Sequence, residues 1–518
     1  MQRWPCPAPC SLSPVSRSLS GGALALFGAV PASAGVVYVD RNATGALHDG
    51  SSWCEAFLEL SEALDVTPSG STVWLADGTY LPNAMGLEDP RDASFGLQGV
   101  TVIGGFAGCG AADPDERAPQ TYETILSGDL AGNDPSGFTD DNAYHVAVVS
   151  GPNAAVLSGV TLRGGNADGR EGGGIYSLGG TFRLENCVLR ENLGWRGGGI
   201  YLESGSAELV HCRIAQNISV GEGGAIFAAT SGLSLDNCLV FANGAGSDGG
   251  AVFVDLCTVP ITNTTFVGNV SDARGGAIYM YVGTFLDLDN SILWGNSDAN
   301  GSGEDSQVWA NPSNDLVVDS SCIEGWSGAF GGTGNFGLDP EFLDPNGGDL
   351  HVGAQSPCID AGDDGAVRAD VDLDGNPRTV GSSVDMGCYE FQDTSGLPDI
   401  GAPPVGDGGI GGGPNDGGTS SRLDAALSLR GDPGGGLILR IRPPETGPWT
   451  VDAWTAEGRR IGSIARGVAE SSADADLRTE YVEVALEEWA GVVPSGICFL
   501  ALRQGGRTVG STKLVTVR

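Results

Sequence analysis

The chain has 518 residues, too many for one ordinary core, and 85 of them are glycine, about twice the usual share. Acids outnumber bases 65 to 26, for a formal net charge of −39, and Lys513 is the single lysine. Such a surface repels nucleic acid and anionic lipid, which bind through basic stripes, and the missing G-x-y period excludes a collagen-like chain.

Residues 1–34 read as an export signal: basic Arg3 and Arg17, an apolar run from Gly21 to Val30, and the small-residue cleavage site Ala32-Ser33-Ala34. That run is too short to cross a bilayer, and no later stretch reaches about 18 apolar residues. The mature chain is therefore expected from Gly35, without a transmembrane segment, in oxidising surroundings where cysteines pair. Removing Cys6 and Cys10 from the 12 cysteines leaves ten, with no C-x-x-C or Cys/His metal spacing among them. Cys54 and Cys109 are one candidate pair. From Val36 to about Tyr144 the chain is expected to hold an N-terminal cap and first turns.

A repeat dominates the middle of the chain. Gly173-Gly174-Ile175, Gly198-Gly199-Ile200, Gly224-Ala225-Ile226, Gly250-Ala251-Val252 and Gly276-Ala277-Ile278 place their apolar residues 25, 26, 26 and 26 apart. Asn192, Asn217, Asn243, Asn269 and Asn296 keep nearly the same interval. Aligned on these asparagines, Leu189, Ile214, Val240, Phe266 and Leu293 coincide, as do Leu184, Leu209, Leu235, Ile261 and Leu288. Steps of two mark a strand's inward face, and the step of three from Leu184 to Cys187 marks a bend. The period predicts a right-handed parallel β-helix in which like stacks on like, with amides bonding from coil to coil. Cys187, Cys212 and Cys238 form a third ladder, read as small buried hydrophobes, because in-register neighbours present poor bridging geometry. Paired glycines serve positive φ or close approach of coils. The frame L-x-x-L-x-L-x-x-N also fits leucine-rich repeats, but Gly-Gly beside β-formers such as Val252-Phe253-Val254 disfavours their helix. Ala155-Val156-Leu157 with Val160-Thr161-Leu162 reads as the coil before, and Leu316-Val317-Val318 with Cys322-Ile323 as the coil after.

The Gly-Gly-Ala-Ile block followed by Asn-Cys-x-apolar and Asn resembles the polymorphic outer-membrane-protein repeat. Val37-Tyr38-Val39-Asp40, Ser52-Trp53-Cys54-Glu55-Ala56-Phe57, Ser127-Gly128-Asp129, Ser356-Pro357-Cys358-Ile359-Asp360-Ala361-Gly362 and Val384-Asp385-Met386-Gly387-Cys388-Tyr389-Glu390 sharpen the likeness. Together they are similar to choice-of-anchor Q β-helix proteins of bacterial surfaces, over roughly residues 36–391. The resemblance implies a pectin-lyase-like fold and a cell-surface, outer-membrane-associated location, but no settled activity. Cys54, Cys109, Cys358 and Cys388 depart from its pattern and imply extra disulfides. The expected organisation is a signal (1–34), a capped β-helix (35–392), a Gly/Pro/Asp-rich linker (393–421) and a C-terminal domain (422–518). Short alternating strands in that last part, such as Leu437–Ile441 and Trp449–Trp454, suggest a small β-sandwich. It resembles the FlgD-type Ig fold and type IX sorting domains, which implies the secretion machinery as a partner.

Chemistry is sparse in the sequence. The body has no lysine to abstract a proton, its Arg163, Arg183, Arg190 and Arg213 do not share a ladder, and the polygalacturonase-type signatures are missing. His211 occupies the slot of Asn186, Asn237, Asn263 and Asn290, so it is read as structural. The acid pairs Asp140-Asp141 and Asp363-Asp364 could flank a glycosidic bond. Asp370-x-Asp372-x-Asp374-Gly375 matches the first half of a calcium loop, although Gly381 stands where the bidentate acid belongs. Calcium is thus the one cofactor suggested, with Asp370, Asp372 and Asp374 as ligands. The functional expectation is a secreted surface protein, non-catalytic, that contacts extracellular polysaccharide or a cell-surface glycan. The alternative is a secreted polysaccharide lyase or glycoside hydrolase on the same fold.

Overall fold

Successive windings of the chain lie one upon another. In a computed structural model describing residues 35–134, 139–167, 169–345 and 348–392, together with the backbone of seven strands between 426 and 516, one winding runs through the strands Ile175–Leu178, Thr181–Glu185, Val188–Arg190 and Leu193–Gly194 before Ile200–Glu203 begins the next. Each strand pairs in parallel with its counterpart one winding on. The result is parallel sheets of eight, ten, nine and five strands among the described residues. No helix interrupts 170–300.

The register agrees with the sequence alignment. Ile175, Ile200, Ile226, Val252, Ile278 and Val308 are successive partners in the eight-stranded sheet. Leu184, Leu209, Leu235, Ile261, Leu288 and Val318 follow one another in the ten-stranded sheet, and Leu189, Ile214, Val240, Phe266, Leu293 and Ile323 in the nine-stranded one. All are buried in one continuous core, each such side chain contributing about 1.5–3 kcal/mol over exposure. The coils expected before and after the clear repeats pair in place.

Left-handed residues turn the chain between strands. Asn186, His211, Asn237, Asn263 and Asn290 hold φ between 46° and 53°, a conformation that asparagine tolerates better than most residues. In the glycine blocks the positive φ falls one residue before the paired glycines, at Gly197 for instance (61°). Gly198 then serves close approach, since a Cβ there would lie 2.3 Å from the Ile218 carbonyl oxygen.

The asparagine ladder is buried. Asn192 donates from its backbone N–H (3.2 Å) and from Nδ2 (3.0 Å) to Oδ1 of Asn217, and the same pair of bonds leads on through Asn243, Asn269 and Asn296. Gln307 ends the series, its Oε1 accepting from Asn296 at 2.7 Å. Cys187, Cys212 and Cys238 are buried thiols, as expected. Cys54 and Cys109 are joined by a disulfide. At the N-terminal end the helix Leu60–Val66 inserts Leu60 and Ala63 into the core beside Val39.

In the C-terminal part, backbone strands form a three-stranded antiparallel sheet (Ala426–Gly431, Leu437–Arg442, Val482–Ala485). Arg460–Ala469, Gly447–Thr455, Gly496–Gln504 and Arg507–Thr516 form a four-stranded one. The expected export signal and linker lie outside the described residues.

Candidate functional site

The left-handed corner aims its side chains outward, and a C-terminal strap from Asp349 to Gln392 docks along them. Asn290 exchanges two bonds with the backbone of Asp363, donating at 3.0 Å and accepting at 2.7 Å. Asn263 donates to the Asp385 carbonyl (3.2 Å), and Asn237 to that of Val371 (2.5 Å). His211 Nε2 lies 3.1 Å from the same Val371 oxygen, so the histidine does fill a structural slot.

Beneath the strap lies a buried ionic group. Arg378, whose side chain is 2% exposed, donates to Asn237 Oδ1 (3.2 Å) and to the Asp385 carbonyl (2.9 Å) and pairs with Glu390 at 3.2 Å. Glu390 also accepts from the N–H groups of Val380 and Asp385. Burial nevertheless pushes its carboxyl up to about 7, and burial pulls the Arg378 guanidinium down. Both directions say that desolvation outweighs the pairing. At the outer edge His351 bridges Asp349 (2.6 Å) and Asp374 (2.8 Å) and stacks on Tyr389 with centroids 3.8 Å apart. Burial pulls the His351 pKa down, but the two carboxylates outweigh it and the net shift is upward.

The three aspartates of the calcium pattern are not brought together. Asp372 is buried, its Oδ1 accepting from the N–H groups of Asp374 and Asn376 and its Oδ2 from that of Glu390. Asp374 turns away to Arg213 (2.9 Å) and His351, while Asp370 is exposed. No group of three His, Cys, Asp or Glu side chains forms a metal-sized cluster among the described residues. Of the acid pairs, Asp141 accepts from Asn133, Asp363 accepts from the N–H of Gly365, and Asp364 accepts from the N–H of Val384 and the Ser383 hydroxyl.

Outside the central core run ladders that sequence reasoning missed, an aromatic one that is itself largely buried and an exposed apolar one. On the eight-stranded sheet His145, Tyr176, Tyr201, Phe227, Phe253, Tyr279 and Trp309 stack ring on ring, centroids 4.5–5.5 Å apart. On the five-stranded ladder Leu193, Ile218, Gly244 and Val270 are successive partners, with Trp195 and Val220 two residues further along. Ile218, Val220, Val270 and Trp195 are each 45–53% exposed. A charged row borders them. Arg196 pairs with Glu222 (2.9 Å) and Arg274 with Asp248 (3.3 Å), and the two arginines cover Phe227, Tyr279 and Trp309. The signal was in the sequence: Tyr176, Tyr201, Phe227, Phe253 and Tyr279 follow the apolar position of each repeat by one residue.

A cleft of about 260 Å³ beside the strap is lined by His351, Tyr389, Glu390 and Phe391. Another hollow, about 420 Å³, opens beside Ser61, Asp65, Ser94 and Gln98, where Asp65 is the one carboxylate and no base accompanies it. No described helix is long and apolar enough to cross a membrane.

No curated protein matches the chain. Among solved structures it is similar to one titled "Crystal structure of pectate lyase Pel9A", at 13% identity and a TM-score of 0.35, covering 69% of this chain and 96% of that one. A rhamnogalacturonan lyase is similar at 12% identity and a TM-score of 0.33, covering 70% and 97%. At these values neither lyase says anything of this chain's chemistry. Residues 145–323 match the family model described as "Right handed beta helix region", and with the parallel ladders above, this part of the chain is a right-handed parallel β-helix.

Proposed function

We propose that the chain is an exported surface protein whose solenoid contacts polysaccharide or a cell-surface glycan without cleaving it. The observation that carries this reading is the strip along the five-stranded ladder: exposed apolar side chains and Trp195, bordered by the row Arg196, Glu222, Asp248 and Arg274. Sugar rings present C–H faces that lose water favourably against apolar side chains, and hydroxyls that seek donors and acceptors at the rim. The strip repeats along the helix axis at about 4.8 Å per coil, so it suits an extended, repeating ligand rather than a small one. The ionisable groups beneath the strap serve a different end, since their hydrogen bonds hold the strap to the coils.

Export is supported by the leader-like residues 1–34 and by the Cys54–Cys109 disulfide, which suits an oxidising compartment. The choice-of-anchor Q resemblance points to a bacterial outer surface, and the antiparallel C-terminal strands fit a sorting or anchoring module recognised by the secretion machinery.

The test is a panel of neutral and acidic polysaccharides, with and without calcium, read for retention and for product release. Retention without products is expected, weakened roughly tenfold (about 1.4 kcal/mol) by Trp195→Ala. Cleavage abolished by replacing one acidic residue would establish the enzyme reading instead. Retention unchanged by Trp195→Ala would remove the strip from the account.

A further inference from the structure

Seven cysteines are thiols among the described residues, and two of them differ from the rest in placement. Cys322 lies in the last strand of the nine-stranded sheet, where its N–H donates to the Ser291 carbonyl at 2.8 Å. Cys358 lies in the strap, where its N–H donates to Ser356 Oγ (3.2 Å) and its carbonyl accepts from Met386 N–H (3.0 Å). Both side chains are fully buried in one apolar cluster with Ile292, Val352 and Met386. Within that cluster the Cys322 thiol hydrogen-bonds to the Cys358 thiol.

The ladder cysteines are neighbours of another kind. Cys187, Cys212 and Cys238 each stand just before an in-register parallel strand, where side chains leave the backbone in the same direction; their thiols also meet from coil to coil and, like that of Cys322 toward Leu338, donate to carbonyl oxygens. Cys257 donates to the carbonyls of Ala228 and Asp255. A disulfide needs Cβ atoms about 3.8 Å apart with their sulfurs turned toward each other, an approach open to two converging segments and poor for stacked, in-register neighbours.

We propose that Cys322 and Cys358 are a cross-linking site: in the oxidised protein they form a second disulfide that fastens the strap to the last coil. The oxidant is a low-molecular-weight disulfide such as oxidised glutathione. One cysteine thiolate attacks a sulfur of that disulfide, whose S–S bond breaks and releases one small thiolate. The other cysteine then attacks the protein sulfur of the mixed disulfide and releases the second. Two protein thiols are oxidised, and the oxidant takes up the two electrons as two small thiolates, which become thiols with the two protons that the cysteines gave up. Because both sulfurs are buried once the strap is docked, exchange takes place before docking or during its opening. The finished bond is afterwards shielded from reductant. It makes the docking of the strap on the left-handed corner covalent.

The sequence supplies a clean assay. No Lys or Arg lies between Gly275 and Val367, so trypsin releases residues 275–368 as one peptide containing Cys322, Cys358 and no other cysteine. The full chain, purified without reductant, is denatured, alkylated and digested. The peptide is expected to carry no alkyl group and to be two hydrogens lighter than after reduction, while Cys187, Cys212, Cys238 and Cys257 are alkylated. The Cys54–Cys109 bond serves as the internal standard for oxidation. A doubly alkylated 275–368 peptide in a sample where Cys54 and Cys109 are linked overturns the proposal, and so does a link from either cysteine to any other. In Cys358→Ser, Cys322 should become alkylatable and amide exchange across 349–392 should quicken relative to the coils. Unchanged exchange would show that the bond does not fasten the strap.

Discussion

Asn243→Ala is the sharpest probe of the amide ladder. Its Oδ1 accepts from the backbone N–H (2.9 Å) and Nδ2 (3.0 Å) of Asn217, and its Nδ2 donates to the Ile214 carbonyl (2.9 Å) and to Asn269 Oδ1 (2.9 Å). The losses are unequal. Asn217 Nδ2 keeps the carbonyls of Leu189 and Ala215, and Asn269 Oδ1 keeps the N–H of residue 243, but the buried N–H of Asn217 loses its acceptor. One stranded buried donor costs about 1–3 kcal/mol, and the remaining weakened bonds add about 1, so the expected loss is about 3 kcal/mol. In a solenoid each coil contacts only its neighbours, so the damage should be local. Amide exchange read across the full chain is expected to speed up in the coils around residues 217–269 and not in the N-terminal cap, with urea unfolding followed by circular dichroism giving the total. A loss under about 0.5 kcal/mol, or uniform exchange, would refute the claim that the ladder holds the coils together.

Glycine substitutions offer a contrast within one block. Gly198→Ala would place a Cβ 2.3 Å from the Ile218 carbonyl oxygen and should cost about 3 kcal/mol in urea unfolding. Gly199→Ala would place its Cβ less tightly, 2.8 Å from the Ala225 carbonyl oxygen, at a position where the chain itself has Ala225, Ala251 and Ala277, and should cost about 1 kcal/mol. Strap docking should depend on pH through Glu390. Its folded pKa, about 7, lies above the usual 4.5, so the folded state binds more protons between those values and the strap is held less well as pH rises through that window. Exchange across residues 372–391 should therefore be slower at pH 5 than at pH 8 after correction for intrinsic rates, and Glu390→Gln should flatten the difference. Calcium can reach Asp372 only if the carboxylate gives up three backbone donors, so calorimetric titration should show no heat that depends on this residue. Saturable heat lost in Asp372→Ala would restore Asp370, Asp372 and Asp374 as a calcium site.

Periodicity alone was enough to specify the solenoid. Stacking coils place residue i beside residue i + 25 or i + 26, so the core ladders, the buried asparagines and the thiol row are written as a linear period that needs no knowledge of contacts. The corner slot of His211 was legible for the same reason, because four asparagines share it. The aromatic stack and the row from Arg196 to Arg274 were equally periodic, but they lie on outward positions where a mixed composition hides a repeat. The role of the strap emerges only from the folded chain. Arg378 meets Asn237 across 141 residues, and Cys358 meets Cys322 from a segment outside the repeat. Such pairs recur at no interval, so their meeting depends on how a non-repeating segment folds back onto the coils. Alternate carboxylates at 370, 372 and 374 look like a metal loop in one dimension. In three dimensions Asp372 is taken up by the backbone N–H groups of Asp374, Asn376 and Glu390, Asp374 turns to Arg213 and His351, and Asp370 stays exposed, so the three carboxylates serve separate partners.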